Sequence, residues 1–238
     1  MKNILAWLTL LFTATFVVSP SLTSPFSGFR ADQLPIPQID PPVQPAGYAF
    51  AIWGLIYGWL VVSAVFGLWK RAGDAGWDRA RPALIASLAI GTPWLAIANM
   101  SAIWATVGIF AMAAGAIVAL IRAPLADRWW LRAPVAIYAG WLTAASFVSL
   151  GSTAAGYGLL FDSTGWAYAG ILGALAVALM VQWRAPQSPE YGATVIWALV
   201  GIIVANGLGL NGVSLTAVAG IAVIGAFAVT VGRRPLAA

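Results

Sequence analysis

The sequence predicts an all-α fold, a polytopic membrane helix bundle of about eight transmembrane helices. Three observations carry the prediction. First, 61% of the 238 residues are hydrophobic and 8% are charged. A soluble domain carries about 25% charged residues, so this chain has too little polar surface to cover a water-exposed body. Second, the apolar residues gather in stretches near the ~20 residues that span a bilayer as a helix. Lipid offers the backbone no hydrogen-bond partners, so each stretch is expected to satisfy its own backbone as a helix. Third, the basic residues fall on alternate sides of these stretches.

The stretches run approximately over 4–18, 46–69, 82–98, 102–121, 133–150, 165–183, 192–208 and 213–231. The first follows Lys2 and is short. Its rival reading is a signal peptide cut near the small residues Ser19 and Ser21, which would leave seven spans; Pro20 makes a poor cleavage context. Segment 20–45 then holds Pro20, Pro25, Pro35, Pro37, Pro41, Pro42 and Pro45. Repeated proline removes backbone donors and favours extended or turn conformations. The segment is either a linker or a stiff lid over the outer mouth of the bundle.

The second stretch opens on a run of aromatic and small residues. Phe50, Trp53 and Tyr57 stand at i, i+3 and i+7 and share one helix face. Gly54 and Gly58 form GxxxG, read here as close packing between helices. The third stretch carries Pro93 and Trp94 and reaches the turn at Asn99, which either caps that turn or donates to a bound polar group. The fourth follows directly. The fifth places Tyr138 and Trp141 three residues apart, and the seventh carries Trp197. The join before the eighth is rich in Asn and Gly, which favour turns. Trp69, Trp77, Trp129, Trp130, Trp166 and Trp183 lie near span ends, where indoles form interfacial belts.

Charge placement tests the count. With Lys2 on the cytoplasmic side, eleven of the twelve basic residues fall inside, Arg30 being the exception. That is the positive-inside pattern, and it puts both termini in the cytoplasm. The net charge of +5 is therefore read as basic loops, not as a nucleic-acid surface.

The interior excludes several chemistries. There is no Cys and no His, so thiolate nucleophiles, disulfides and His-ligated metals are absent. Every Lys, Arg, Asp and Glu maps to a loop or a span end, which argues against proton relays and carboxylate-coupled transport. Hydroxyls such as Ser63, Ser87, Thr106, Thr143 and Ser146 are read as hydrogen bonds to neighbouring helices. What remains is 13 Trp, 6 Tyr and 10 Phe. Aromatic walls hold a flat hydrophobic ligand without metal or charge. The expectation is a non-enzyme with no cofactor. Its partners are the lipid bilayer and a hydrophobic small molecule; a homodimer or a membrane-protein partner is compatible with the glycines.

The runs around Tyr48–Tyr57, Tyr138–Ala145 and Tyr191–Trp197 resemble the TspO/MBR group of tryptophan-rich sensory and translocator proteins, in its longer branch. Pro45, Tyr48, Phe50, Trp53 and Tyr57 occupy the places of that group's second-helix signature, with Tyr48 replacing a Trp and one intervening Pro missing. Tyr138, Trp141 and Ala145 match the fifth-helix signature; Ile137 and Ser149 replace its Pro and Asn. Asn99 and Trp104 are loosely similar to the third-helix pattern. The resemblance implies a five-helix core over 1–151, with additional C-terminal helices over 152–238, in a bacterial cytoplasmic (inner) membrane. It implies an aromatic pocket for tetrapyrroles such as porphyrin, or for sterol-like ligands. The site residues are then Pro45, Tyr48, Phe50, Trp53, Tyr57, Trp94, Asn99, Tyr138 and Trp141, with Arg30 meeting porphyrin propionates. Binding, sensing or transport is the leading expectation. A structural or regulatory subunit is the alternative, and porphyrin degradation with Trp141 as the reactive indole is the minor one.

Overall fold

A computed structural model describes residues 3–24, 26, 28–209 and 211–232. Lys2, Arg233, Arg234 and Pro25, which entered the charge and proline arguments, lie outside the described residues. Eight α-helices follow in order: α1 Ile4–Val18, α2 Ile52–Arg71, α3 Ala75–Met100, α4 Ala102–Arg122, α5 Ala133–Gly156, α6 Ser163–Arg184, α7 Pro189–Ala205 and α8 Gly212–Gly232. Seven helical stretches are long and apolar enough to cross a membrane, and α7 is shorter at 17 residues. The all-helical polytopic bundle read from the sequence is the observed architecture.

The bundle is organised around α5. Of its 24 residues, 20 are buried, because α2, α4, α6 and α7 pack around it. A helix that is apolar on all sides belongs in such a position. The hydroxyls tie it to its neighbours. Thr106 Oγ1 meets Ser149 Oγ at 2.7 Å, Thr143 Oγ1 meets Tyr191 Oη at 2.8 Å, and Ser146 Oγ donates to Ile109 O at 3.3 Å. Ser87 Oγ likewise donates to Met112 O between α3 and α4 at 2.7 Å. Ser63 makes no such bond.

Two expectations are corrected. Helix α3 begins at Ala75, earlier than the hydropathy placed it. Its start is fixed by Asp74, whose carboxylate accepts from Trp77 N at 3.0 Å and caps the first turn. Two charged side chains at span ends are shut in. Arg81 is 1% exposed. Its guanidinium donates to Gly67 O at 2.9 Å and Arg71 O at 3.0 Å, closing the orphan carbonyls of α2, and it pairs with Asp78. Arg132, also buried, donates to Ser188 Oγ at 2.6 Å and Ala123 O at 2.5 Å. Both lie at the end of the bundle that carries most of the basic residues. Finally, Gly54 and Gly58 do not pack between helices. A Cβ added at either would touch nothing within 4 Å, so this face of α2 looks outward.

Candidate ligand cavity and its lid

A cavity of about 260 Å³ lies inside the α1–α5 half of the bundle, at the end opposite the basic loops. Six of the nine expected site residues line it: Pro45, Phe50, Trp53, Tyr57, Trp94 and Trp141. The helical spacing explains their convergence. A short 3₁₀ segment, Gly47–Ala51, carries Phe50 into register with the first two turns of α2. Trp53 then stacks on Tyr57 at 5.1 Å between ring centroids, with the planes 24° apart. Trp141 comes from α5 and presents its ring at steep angles to Phe50 at 5.6 Å and Trp53 at 6.3 Å. Such edge-to-face pairs suit the aromatic quadrupole. Trp94 is fixed from below, its indole N–H donating to Ala105 O at 2.8 Å.

The other three stand elsewhere. Tyr138 is fully buried beneath the cavity, with its hydroxyl 3.0 Å from Ser87 Oγ. Tyr48 is exposed and meets Trp197 edge-on at 5.5 Å, where α7 docks. Asn99 lies in the last turn of α3 and holds the proline-rich segment: its Nδ2 donates to Ser24 O at 3.2 Å. Arg30 is not on the cavity wall. Its side chain is 58% exposed and pairs with Asp32 at 2.9 Å, which holds the Asp32 carboxyl below the usual carboxylate range.

Sequence reasoning missed Phe16, Phe26 and Phe29, which complete the wall. Phe16 meets Trp53, Tyr57 and Tyr138 edge-on at 6.0, 5.4 and 5.7 Å. It ends the buried stripe Ala6, Thr9, Thr13, Phe16, whose helical spacing was visible in the sequence. Gly91 makes room for it: a Cβ there would sit 2.7 Å from the Phe16 ring.

The proline-rich segment is a lid in two parts. Its first part crosses the mouth. Phe26 packs edge-on to Trp94 at 5.4 Å. Gln33 Nε2 donates to Ala98 O at 2.8 Å, and Arg30 Nη1 donates to Asn99 O at 3.3 Å. These bonds, with that from Asn99, latch the lid to the end of α3. Its second part is strapped over the later helices. Ile36 N donates to Gly156 O at 2.8 Å, Asn206 Nδ2 to Pro42 O at 2.9 Å, and Ala46 N to Gly201 O at 2.9 Å. Gly201 permits this approach, since a Cβ there would lie 2.9 Å from Pro45 Cβ.

A multi-helix bundle with lipid-length apolar helices and a lidded aromatic cavity defines an integral, multi-pass membrane protein whose outer helix faces contact lipid. The TSPO-like protein family matches residues 3–230, and the chain belongs to that family. No curated protein and no solved structure matches it.

Proposed function

We propose that this protein binds a flat hydrophobic ligand, a tetrapyrrole (porphyrin) or sterol-like molecule, in the aromatic cavity, and so senses or transports it. The observation that carries the reading is the meeting of Phe16, Phe50, Trp53, Tyr57, Trp94 and Trp141 around one cavity. Ligand sites are concave, mostly apolar and walled by aromatic rings, and the volume lies just below their usual range of about 300–1,000 Å³. Membership of the family over nearly the whole chain supports the same reading. A binding role, not catalysis, fits a chain with neither His nor Cys. The bacterial inner membrane, with both termini cytoplasmic, fits the positive-inside pattern.

The test is a titration of detergent-purified protein with protoporphyrin IX and its dimethyl ester, read by quenching of Trp fluorescence. Wild type is compared with a Trp53→Ala, Trp141→Ala double variant and an unrelated Trp-rich membrane protein. Saturable micromolar quenching by either porphyrin, lost in the double variant, is expected. Quenching equal to the control would overturn the reading and favour a structural or regulatory subunit.

A further inference from the structure

Charge does not balance at the basic end of the bundle. Among the described residues, this end holds the acids Asp74, Asp78, Asp127 and Glu190, and all of them are engaged. Asp74 caps α3, Asp78 pairs with Arg81, Asp127 with Arg71 and Glu190 with Arg128. Arg132 is spent on Ser188 and the Ala123 carbonyl. Lys70, Arg79, Arg122 and Arg184 are left without an ion pair or a hydrogen bond among the described residues. Lys70 lies over the Trp69 ring at 3.7 Å and Arg184 over the Trp183 ring at 5.3 Å. Arg79 and Arg122 lack even a ring contact.

These two arginines flank one seam, that between α3 and α4. The helices run antiparallel in a fixed register. Trp94 Nε1 donates to Ala105 O at 2.8 Å, a Cβ on Gly115 would lie 3.0 Å from Ala83 O, and one on Gly76 would lie 3.4 Å from Pro124 Cβ. Continued between those points, the register sets Arg79 level with the last turn of α4, which ends at Arg122. Arg122 follows Gly115 by two helical turns and so stands on the ridge of α4 that faces α3. Arg79 is one turn from both Gly76 and Ala83, beside the ridge of α3 that faces α4. Both arginines are exposed. Further along the two helices the exposed residues turn apolar, with Pro82 and Ala86 on α3 and Val118 and Ile121 on α4.

Local electrostatics account for one arginine of the pair. Arg122 ends α4, where a cation meets the negative end of the helix dipole. Arg79 begins the second turn of α3, nearer that helix's positive end, and beside Arg122 it adds like-charge repulsion. An anion shared by the two guanidinium groups relieves both, and guanidinium forks match phosphate oxygens. At the end of two membrane-spanning helices, above an apolar strip, the phosphate at hand is that of a lipid.

We propose that Arg79 and Arg122 clamp the phosphate of an anionic phospholipid at the basic end of the α3–α4 seam, with its acyl chains along Pro82, Ala86, Val118 and Ile121. The site is separate from the aromatic cavity and does not depend on what the cavity holds. Phosphatidylcholine fits it less well, because its ammonium adds a positive charge where two already stand unpaired.

Native mass spectrometry of the full chain in detergent tests this. The protein is titrated with dioleoylphosphatidylglycerol and with dioleoylphosphatidylcholine, which share their acyl chains and differ in net charge. The anionic lipid is expected to bind wild type about tenfold tighter. An Arg79→Gln, Arg122→Gln double variant is expected to bring the two lipids within about twofold of each other. A Lys70→Gln, Arg184→Gln double variant removes the same charge from the same end and is expected to keep the preference. Glycerophosphoglycerol, the same head without chains, is expected not to displace the lipid. Equal affinity of wild type for the two lipids, or equal loss of preference in the two double variants, would overturn the proposal. Displacement by glycerophosphoglycerol at equal concentration would overturn the assignment to a lipid. Since Arg79 and Arg122 are exposed and unpaired, their double variant is expected to unfold in lipid-free detergent at the wild-type temperature; a clear drop there would make the pair structural and would also overturn the proposal.

Discussion

Asp127 shows how single polar residues hold the basic end together. It lies between α4 and α5, accepts from Arg71 Nε and from Trp77 Nε1, each at 2.8 Å, and so ties α2 and α3 to the α4–α5 connection. The Arg71 hydrogen bond holds its carboxyl below the usual carboxylate range, against the opposing effect of burial. A carboxyl whose pKa is lower folded than unfolded contributes stability that is complete above its ordinary value of about 3.9. That contribution is lost as pH falls through the lowered folded value. Asp127→Asn is therefore expected to destabilise the protein by about 1 kcal/mol at pH 7, since Arg71 is partly exposed and its pairing is screened. Thermal unfolding in detergent, followed from pH 7 to pH 3, checks this. The gap between variant and wild type should close below about pH 4. Residues of this kind were poorly legible in the sequence. Asp127, Arg81 and Arg132 looked like ordinary loop charges, because hydropathy reports where a charge stands along the chain but not which orphan carbonyl or indole it reaches.

At the scale of elements, the two parts of the lid differ in how they are held. The strap is fastened by the backbone donors of Ile36 and Ala46, by Asn206 Nδ2 and by close glycine contacts at Gly156 and Gly201. The latch rests on three side-chain bonds made by Arg30, Gln33 and Asn99 with Ser24 and the end of α3. Segments held by few bonds open at low free-energy cost. On the proposed ligand-binding reading, the first part, held by exposed and half-buried side chains, is the portion expected to yield. A Gln33→Ala, Asn99→Ala double variant is expected to release bound porphyrin ester about tenfold faster with the cavity wall untouched; stopped-flow recovery of Trp fluorescence measures it, and an unchanged rate would exclude the latch as the barrier. The aromatic stripe of α2 and the Tyr138–Trp141 pair were legible because helical spacing puts such residues on one face. Phe26 and Phe29 were not, since they lie in an irregular segment that has no period to read. Gly54 and Gly58 were misread because a small-residue motif does not say which side of a helix it occupies.

At the scale of the whole molecule, hydropathy gave all eight helices because in lipid the span length is imposed from outside. Orientation can be checked directly, since the chain has no cysteine to interfere. Single substitutions Leu160→Cys, between α5 and α6, and Ala126→Cys, between α4 and α5, both replace exposed residues. In intact cells a membrane-impermeant maleimide is expected to label position 160 and to spare position 126 until the cells are opened. The reverse pattern would invert the bundle. The brevity of α7 has a further consequence. Its 17 residues rise about 25 Å as a helix, short of the ~30 Å hydrocarbon layer. A segment that short is accommodated by a locally thinner bilayer, by flanking side chains that reach the interface or by packing against other helices. The same helix receives the strap through Gly201 and Asn206. The element that anchors the strap is thus also the one whose length is least matched to the hydrocarbon layer.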